Sequence, residues 1–406
     1  MVRKHLLGAK LATFAAILLV ATLTLACGQA APAPTPTTAA KPAAEATKPA
    51  AAPAAAPTAA PAAPAKPAEP TKPAAAAPAP EKLTELKVSH QPEFETFISW
   101  QAMQEGLDKK EGLQMKLVSF DSGMPQVEAM AAKQWDVGAT GGVPMLVAAL
   151  RYNAYMIGIT NDESMANVVL ARPDNPVFQT KGFNPKYPNA FGKPEDVKGK
   201  TILCTTVSSG HYAMSSWLSA LGLKDSDVKV QNLEQAQAVA AFDSGKGDFV
   251  ALWAPFMYTG LQKGWKIVAD GTSVGANIPL VMITSREFGD KNPELVAKWM
   301  KIYFQGIDRM KKEGTKQAAQ YQKFLKEWAA MDMTTENCVL DIEKHPVFDL
   351  KEQLAMFDNS KGQSQVEGWM VGIANFFTEQ GRFKPEERDQ ALKSGFVTDK
   401  FLKMIK

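Results

Sequence analysis

Cysteine is scarce, with three in 406 residues, at Cys27, Cys204 and Cys338. No Cys-x-x-Cys or His-x-x-x-His spacing occurs, so the common zinc motifs are excluded, and neither a metal nor a cofactor is expected. Cys204 stands in an apolar strand pattern and Cys338 in the distant C-terminal part; an exported chain could pair them, but nothing in the sequence brings them together, and two buried free thiols are expected. Histidine is nearly as rare. Of four, His5 lies in the N-terminal segment, and no Ser-His-acid set can be argued from the other three. A basic block interleaved with aromatics is also missing, which argues against nucleic acid as a partner. The longest uncharged apolar stretch, Leu11 to Ala26, has 16 residues, short of the ~20 needed to span a bilayer.

What is present begins with a leader. Arg3, Lys4 and Lys10 precede the apolar run Leu11 to Val20, and small residues follow near Ala26, the pattern of an export signal over residues 1–26. Its removal takes the formal net charge from +3 to about zero. Leu23-Thr24-Leu25-Ala26-Cys27 resembles the lipobox of bacterial lipoproteins, although Thr24 stands where an aliphatic residue is usual. That resemblance implies lipidation at Cys27. Gly28 follows, so the aspartate that holds some lipoproteins in the inner membrane of two-membrane bacteria is not there. Residues 27–82 are almost wholly Ala, Pro, Thr and Lys, a composition that cannot bury apolar surface and reads as a tether reaching on the order of 150 Å if fully extended.

The folded part is organised around Trp135 to Pro144, W-D-V-G-A-T-G-G-V-P, and its looser copy at Gly247 to Pro255, G-D-F-V-A-L-W-A-P. In each copy an alanine-rich helical run (Val127 to Lys133; Gln235 to Phe242) leads into a short Asp-led strand. Small residues and a proline then open a second helix (Met145 to Leu150; Phe256 to Gln262). The preceding strands also match, and Gly222-Leu223 stands where Gly112-Leu113 does, between a helix and the next strand. The pattern predicts two α/β lobes of one design: lobe 1 over 83–171, lobe 2 over 172–278, and a return over 279–406. In the return, Ile278 to Ser285 crosses back, and Val296, Met300, Tyr303, Ile307 and Met310 share one helical face. Further helices are expected at Gln317 to Trp328, Leu350 to Phe357 and Val366 to Phe377.

Three phrases carry a family resemblance: Val127-Glu128-Ala129 to Trp135-Asp136-Val137-Gly138; Lys198-Gly199-Lys200-Thr201-Ile202 with the loop behind it; and Ala241 to Asp248. Residues 83 to about 315 resemble the solute-binding protein of an ABC importer, of the branch with the nitrate, taurine, aliphatic sulfonate and thiamine-pyrimidine-precursor receptors. The resemblance implies a type II periplasmic-binding fold, with two Rossmann-like lobes, a ligand cleft between them and a helical C-terminal tail. It also implies a small-molecule ligand, a permease with its ATPase, and a monomer at the outer face of the membrane or in the periplasm.

By the same resemblance the cleft is lined by the loops after the strands: Gln91 to Phe94, Thr140 to Val143, Val207 to Tyr212, and Trp253-Ala254-Pro255. The expected ligand-binding residues are Gln91, Phe94, Thr140, Gly141, Gly142, Ser208, Ser209, Gly210, His211, Tyr212 and Trp253. Chemically these are hydroxyls, backbone donors at helix starts and flat apolar surface, with no Arg or Lys. Such a set suits a small anion or zwitterion, met by N–H groups and dipoles. Glu93, Glu95, Asp162 and Glu163 read as solvated surface acids, or as one partner for the ammonium of a zwitterion. A receptor for a neutral or aromatic heterocycle, such as a thiamine pyrimidine precursor, is the alternative. An enzyme of the same fold is the remote one, since the cysteine-rich motif of the pyrimidine synthase is absent.

Overall fold

The computed structural model describes residues 82–405. The leader, Cys27 and all but the last residue of the expected tether lie outside the described residues. The chain runs β1 (Thr84–His90), α1 (Phe94–Gln104), α2 (Leu107–Lys110), β2 (Leu113–Ser119), α3 (Gly123–Ala131), β3 (Val137–Gly141), α4 (Gly142–Arg151) and β4 (Ala154–Asp162). It crosses into β5 (Asn167–Ala171), α5 (Pro194–Val197), β6 (Thr201–Cys204), α6 (Ser209–Ala220), β7 (Lys229–Asn232), α7 (Gln235–Asp243), β8 (Phe249–Trp253), α8 (Phe256–Gln262) and β9 (Lys266–Asp270). It returns through β10 (Pro279–Ser285), α9 (Arg286–Lys291) and α10 (Pro293–Glu313), and ends in α11 (Ala318–Glu327), α12 (Thr335–Glu343), α13 (Leu350–Met356), α14 (Gln365–Glu379) and α15 (Pro385–Lys393).

The two five-stranded sheets have the same plan. Their orders are β2-β1-β3-β10-β4 and β7-β6-β8-β5-β9, so each sheet takes its fourth strand, antiparallel to its neighbours, from the segment that has just crossed between lobes. This corrects one expected boundary. β5 pairs with β8 and β9 in the second sheet, so lobe 2 begins before Asn167 and not after Ala171.

The repeated aspartate has a structural cause. Asp136 Oδ2 accepts from Lys87 N in the middle of β1 at 2.8 Å, and Asp248 Oδ2 accepts from Thr201 N at the start of β6 at the same distance. Each aspartate also gives its own N–H to the carbonyl of that residue, so both motifs clasp the first strand to the third. The matched glycines have one too: Gly112 and Gly222 stand at φ 74° and 73°, a left-handed turn that a side chain would strain. We expect Asp248→Ala to cost about 1–2 kcal/mol in denaturant unfolding by stripping a charged acceptor from Thr201 N, and Asp248→Asn to recover most of it. Equal stability of the alanine variant and the parent would mean that the clasp contributes nothing.

Helix α10 buries the predicted face, Val296, Met300, Tyr303, Ile307 and Met310, together with Trp299. The tail holds two helices beyond those expected, α12 and α15. It supplies a missing hydrogen-bond partner as well. Opposite β10 the register of β4 shifts, and Gln353 of α13 reaches in: its Oε1 accepts from Ile159 N at 2.8 Å and its Nε2 donates to Ile159 O at 2.7 Å. The backbone groups that an irregular ladder frees are thereby satisfied. Cys204 and Cys338 are both buried free thiols.

Candidate functional site

At the carboxyl ends of both sheets one small cavity is enclosed by residues of both lobes. Gln91, Glu93, Gly123, Gly141 and Pro144 come from lobe 1, Ser208, Ser209 and Trp253 from lobe 2, with Glu163 on a crossing segment and Leu280 in β10. Its volume is about 10 Å³, room for no more than one water, so the lobes are closed on one another. Gly141 and Ser209 form the point of contact, since a Cβ on Gly141 would overlap Ser209 Oγ.

Two buried glutamines brace the walls. Gln126 of α3 donates to Ala139 O at 2.7 Å and to Ser89 Oγ at 2.8 Å, and its Oε1 accepts from Gln91 Nε2 at 3.2 Å. Gln235 of α7 does the equivalent work in lobe 2, donating to Thr205 Oγ1 at 3.0 Å and accepting from Trp253 N at 3.1 Å. Sequence reasoning missed this pair. The signal was available: each glutamine stands at the start of the helix that leads to the repeated aspartate.

Acids lie at one side of the cavity. Glu93 precedes α1, Glu95 is in its first turn, and Glu163 is on the crossing from β4 to β5; all three are buried, and one carboxylate oxygen of each lies within 4.8 Å of the others. This departs from the expectation of solvated surface acids, because α1 runs inward and the crossing closes over it. Glu163 also belongs to the hinge. Its N–H donates to Ile278 O at 2.9 Å, and Ile278 N donates to Ser164 Oγ at 3.0 Å, so the two crossing segments hold each other. Asp162 takes a different part, accepting from Ser164 N and Oγ at the same hinge.

Burial, reinforced by the neighbouring Glu95 and Glu163, pushes the Glu93 carboxyl well above its ordinary range, and burial together with Glu163 lifts Glu95 to about 8. Behind them His345 stacks on Phe94 with ring centroids 4.8 Å apart and places Nε2 3.7 Å from Glu163 Oε1. Its Nδ1 bonds Asp341 O at 2.7 Å. Burial works against the imidazolium, but Asp341 and Glu163 outweigh it and hold His345 at about 9. Several polar atoms here lack a hydrogen-bond partner: Glu95 Oε2, Glu163 Oε1, Asn167 Oδ1, His345 Nε2, Thr140 Oγ1 and Trp253 Nε1. The Trp253 N–H lies beside Glu93, too loosely to satisfy either group.

The opposite side is built from helix N-termini. Ser208 caps α6, accepting from His211 N at 3.1 Å, and Ser209 is its first residue; α4 starts directly after Gly141. Thr140 and Gly141 are strand residues, held by the ladder to Val281 and Leu280, and not the free loop that was expected; the helix starts at Gly142 and not at Met145. The first N–H groups of both helices have no partner within the helix. Among the residues enclosing the cavity none is Lys or Arg.

Other expected ligand residues point elsewhere. Phe94 is core, packed between His345 and Tyr321. His211 is buried with Nε2 2.9 Å from Asp225 Oδ2, and Asp225 also takes Ser215 Oγ at 2.6 Å and Arg382 at 3.3 Å. Burial raises the Asp225 carboxyl, but these partners together outweigh it and bring it below its ordinary value. Tyr212 packs against Phe376 and Phe377 of α14, and Gly142 lies against Ile373 of the same helix. Gly210 backs Trp253, with no room for a side chain to spare. An aromatic residue next to a cleft loop faces the core whenever the first helical turn rotates it there, and sequence alone does not fix that rotation.

Two sheets of one order, joined by two crossing segments and closed over a pocket at their strand ends, define a two-lobed α/β protein of the periplasmic-binding-protein type. The chain belongs to the NMT1-like family, whose model matches residues 80–321. It is 27% identical over 275 residues to a putative ABC transporter periplasmic binding protein of Brachyspira hyodysenteriae, covering 66% of this chain and 77% of that one. It is 28% identical over 199 residues to the taurine-binding periplasmic protein of Escherichia coli, covering 48% of this chain and 56% of that one. Among solved structures it resembles the alkanesulfonate-binding protein SsuA from Xanthomonas axonopodis pv. citri bound to MOPS, with a TM-score of 0.62, 19% identity, and coverage of 78% of this chain and 99% of that one.

Proposed function

We propose that this chain is the extracytoplasmic solute-binding receptor of an ABC importer, closing its two lobes over a small anion or zwitterion of the sulfonate, taurine or nitrate type and presenting it to a membrane permease. The observation that carries the reading is the cavity at the lobe junction: two helix N-termini converge there with buried polar atoms that have no partner in the protein. Such atoms are costly unless something pairs with them. The relatives' names point the same way. The relatives given above are named as binding proteins, and MOPS in the Xanthomonas structure joins a sulfonate to an amine.

In this reading the hinge at residues 163–166 and 271–278 opens to admit the solute, and closure brings Gly141 against Ser209. Lipidation at Cys27 would hold a monomer beside the membrane at the end of its tether. A thermal-shift screen of the full-length chain against taurine, alkanesulfonates, nitrate, bicarbonate, aromatic carboxylates and thiamine pyrimidine precursors tests it. We expect one class to give a saturable rise in melting temperature. No shift with any member would refute the assignment to this branch of receptors.

A further inference from the structure

We infer that Glu93, Glu95 and Glu163 form a cation subsite for a positively charged nitrogen of the solute, so that the ligand is an ammonium, amidinium or guanidinium at one end and an anion or hydrogen-bond acceptor at the other. The inference rests on the receptor reading above and names the class of solute within it.

The argument starts from a charge imbalance. Three carboxylates are removed from water, with exposures of 2%, 0% and 2% for Glu93, Glu95 and Glu163. The basic groups around them are His345, shared between Asp341 at 3.3 Å and Glu163 at 3.7 Å, and His90, whose Nδ1 is 3.9 Å from Glu95 Oε1 but which burial holds neutral, at about 3; Glu93 and Glu95 are left without a cation. Buried carboxylates in this state either keep their protons or take a positive partner. The second observation concerns geometry. Glu95 Oε2 and the neighbouring Asn167 Oδ1 are unpartnered acceptors, and Glu163 Oε1 has only His345 Nε2, at 3.7 Å and beyond hydrogen-bond reach; an NH-rich cation supplies both the charge and the donors that such acceptors lack.

The shape of the site decides between an organic cation and a bare metal ion. Glu93 and Glu163 line the same cavity as Ser208, Ser209 and Gly141, where the N-termini of α6 and α4 favour negative charge. With the lobes parted enough to admit it, since the closed cavity holds no more than one water, one small molecule with two unlike ends satisfies both walls at once. A metal ion would use only the acidic wall and leave the helix N-termini of the other wall unanswered.

The test is isothermal calorimetry on the full-length chain with matched probes: 2-aminoethanesulfonate against 2-hydroxyethanesulfonate, guanidinium and ethylammonium chloride without an anionic end, and zinc, calcium and manganese chlorides alone. We expect the amine to bind at least 30-fold more tightly than its hydroxyl isostere, or one of the simple cations to bind saturably. We expect Glu163→Gln and Glu95→Gln to erase that preference while the variants keep their far-UV circular dichroism. If sulfonates bind equally with or without the amine, the inference falls and the receptor reading stands. Binding of a metal ion alone, abolished by chelator and with no response to any amine, also overturns it. If neither amines, simple cations nor any member of the wider screen bind, both readings fail.

Discussion

Gly141→Val is expected to weaken solute binding about 100-fold while leaving the unliganded chain folded. The backbone at Gly141 is extended, at φ −63° and ψ 154°, so a side chain is not forbidden there by local geometry. The obstacle is across the cleft: an added Cβ meets Ser209 Oγ, whereas its next neighbours, Pro144 Cδ at 3.5 Å and Ser209 Cβ at 3.7 Å, are in ordinary contact. The clash therefore belongs to the closed arrangement and disappears when the lobes part. Overpacking typically costs about 1–3 kcal/mol, and 100-fold corresponds to about 2.7 kcal/mol. Gly141→Ala should give a smaller loss, reversed by Ser209→Ala, which removes the atom that is struck; calorimetry on the double-mutant cycle reads this directly. If Gly141→Val binds like the parent, or if Ser209→Ala does not relieve Gly141→Ala, closure does not bring these two residues together in the bound state.

A second large effect is expected from pH. Glu95 is held at about 8 against an ordinary 4.5, so between those values the folded chain keeps a proton that the unfolded chain has lost, and stability falls as pH rises. Glu93 and Asp341, also raised chiefly by burial, act in the same direction. His345, held at about 9 against 6.5, contributes stability that is fully present below 6.5 and is lost toward 9. His90 opposes them, since burial lowers it to about 3 and its stabilisation grows with pH, but that growth ends near 6.5. Above 6.5 the cluster therefore acts with one sign.

We expect the unliganded chain to lose on the order of 3 kcal/mol between pH 6.5 and 8, at up to about 1.4 kcal/mol per unit for each group. Glu95→Gln should flatten part of that decline and be the more stable protein at pH 8. Urea unfolding at several pH values measures it. A stability that stays level or climbs across this window would contradict the retention of protons by these acids in the folded chain.

Much of the fold was legible because its signals are local. The short Asp-led strands β3 and β8, the glycines at 112 and 222, and the apolar face of α10 each follow from a few adjacent residues. The repeated aspartates were equally visible, though they clasp strands together and do not touch the cavity. Within the proposed site, Ser208, Ser209, Gly141, Gln91 and Trp253 line the cavity because strand ends and helix starts can be read from sequence. The acids could not be read in that way. Glu93, Glu163 and His345 stand far apart in the chain, and nothing near any of them marks it as buried; only the crossing segment and the tail, folded over α1, turn three ordinary glutamates into one cluster. β5 was assigned to the wrong lobe for a related reason, since an apolar strand does not say which sheet it completes.

The tail adds something that the lobes alone lack. Phe376 and Phe377 of α14 lean on His211 and Tyr212, one turn into α6, and Arg382 reaches Asp225 beyond them, while Ile373 of the same helix rests near Gly142. The first turn of α6 is thus a party wall, with the cavity on one side and the tail on the other. Whatever tilts that turn to suit an occupant must push on the aromatic pair behind it, and whatever shifts the pair must disturb the occupant. In the proposed receptor, grip on the solute would accordingly be set from the back of the wall as well as from its face.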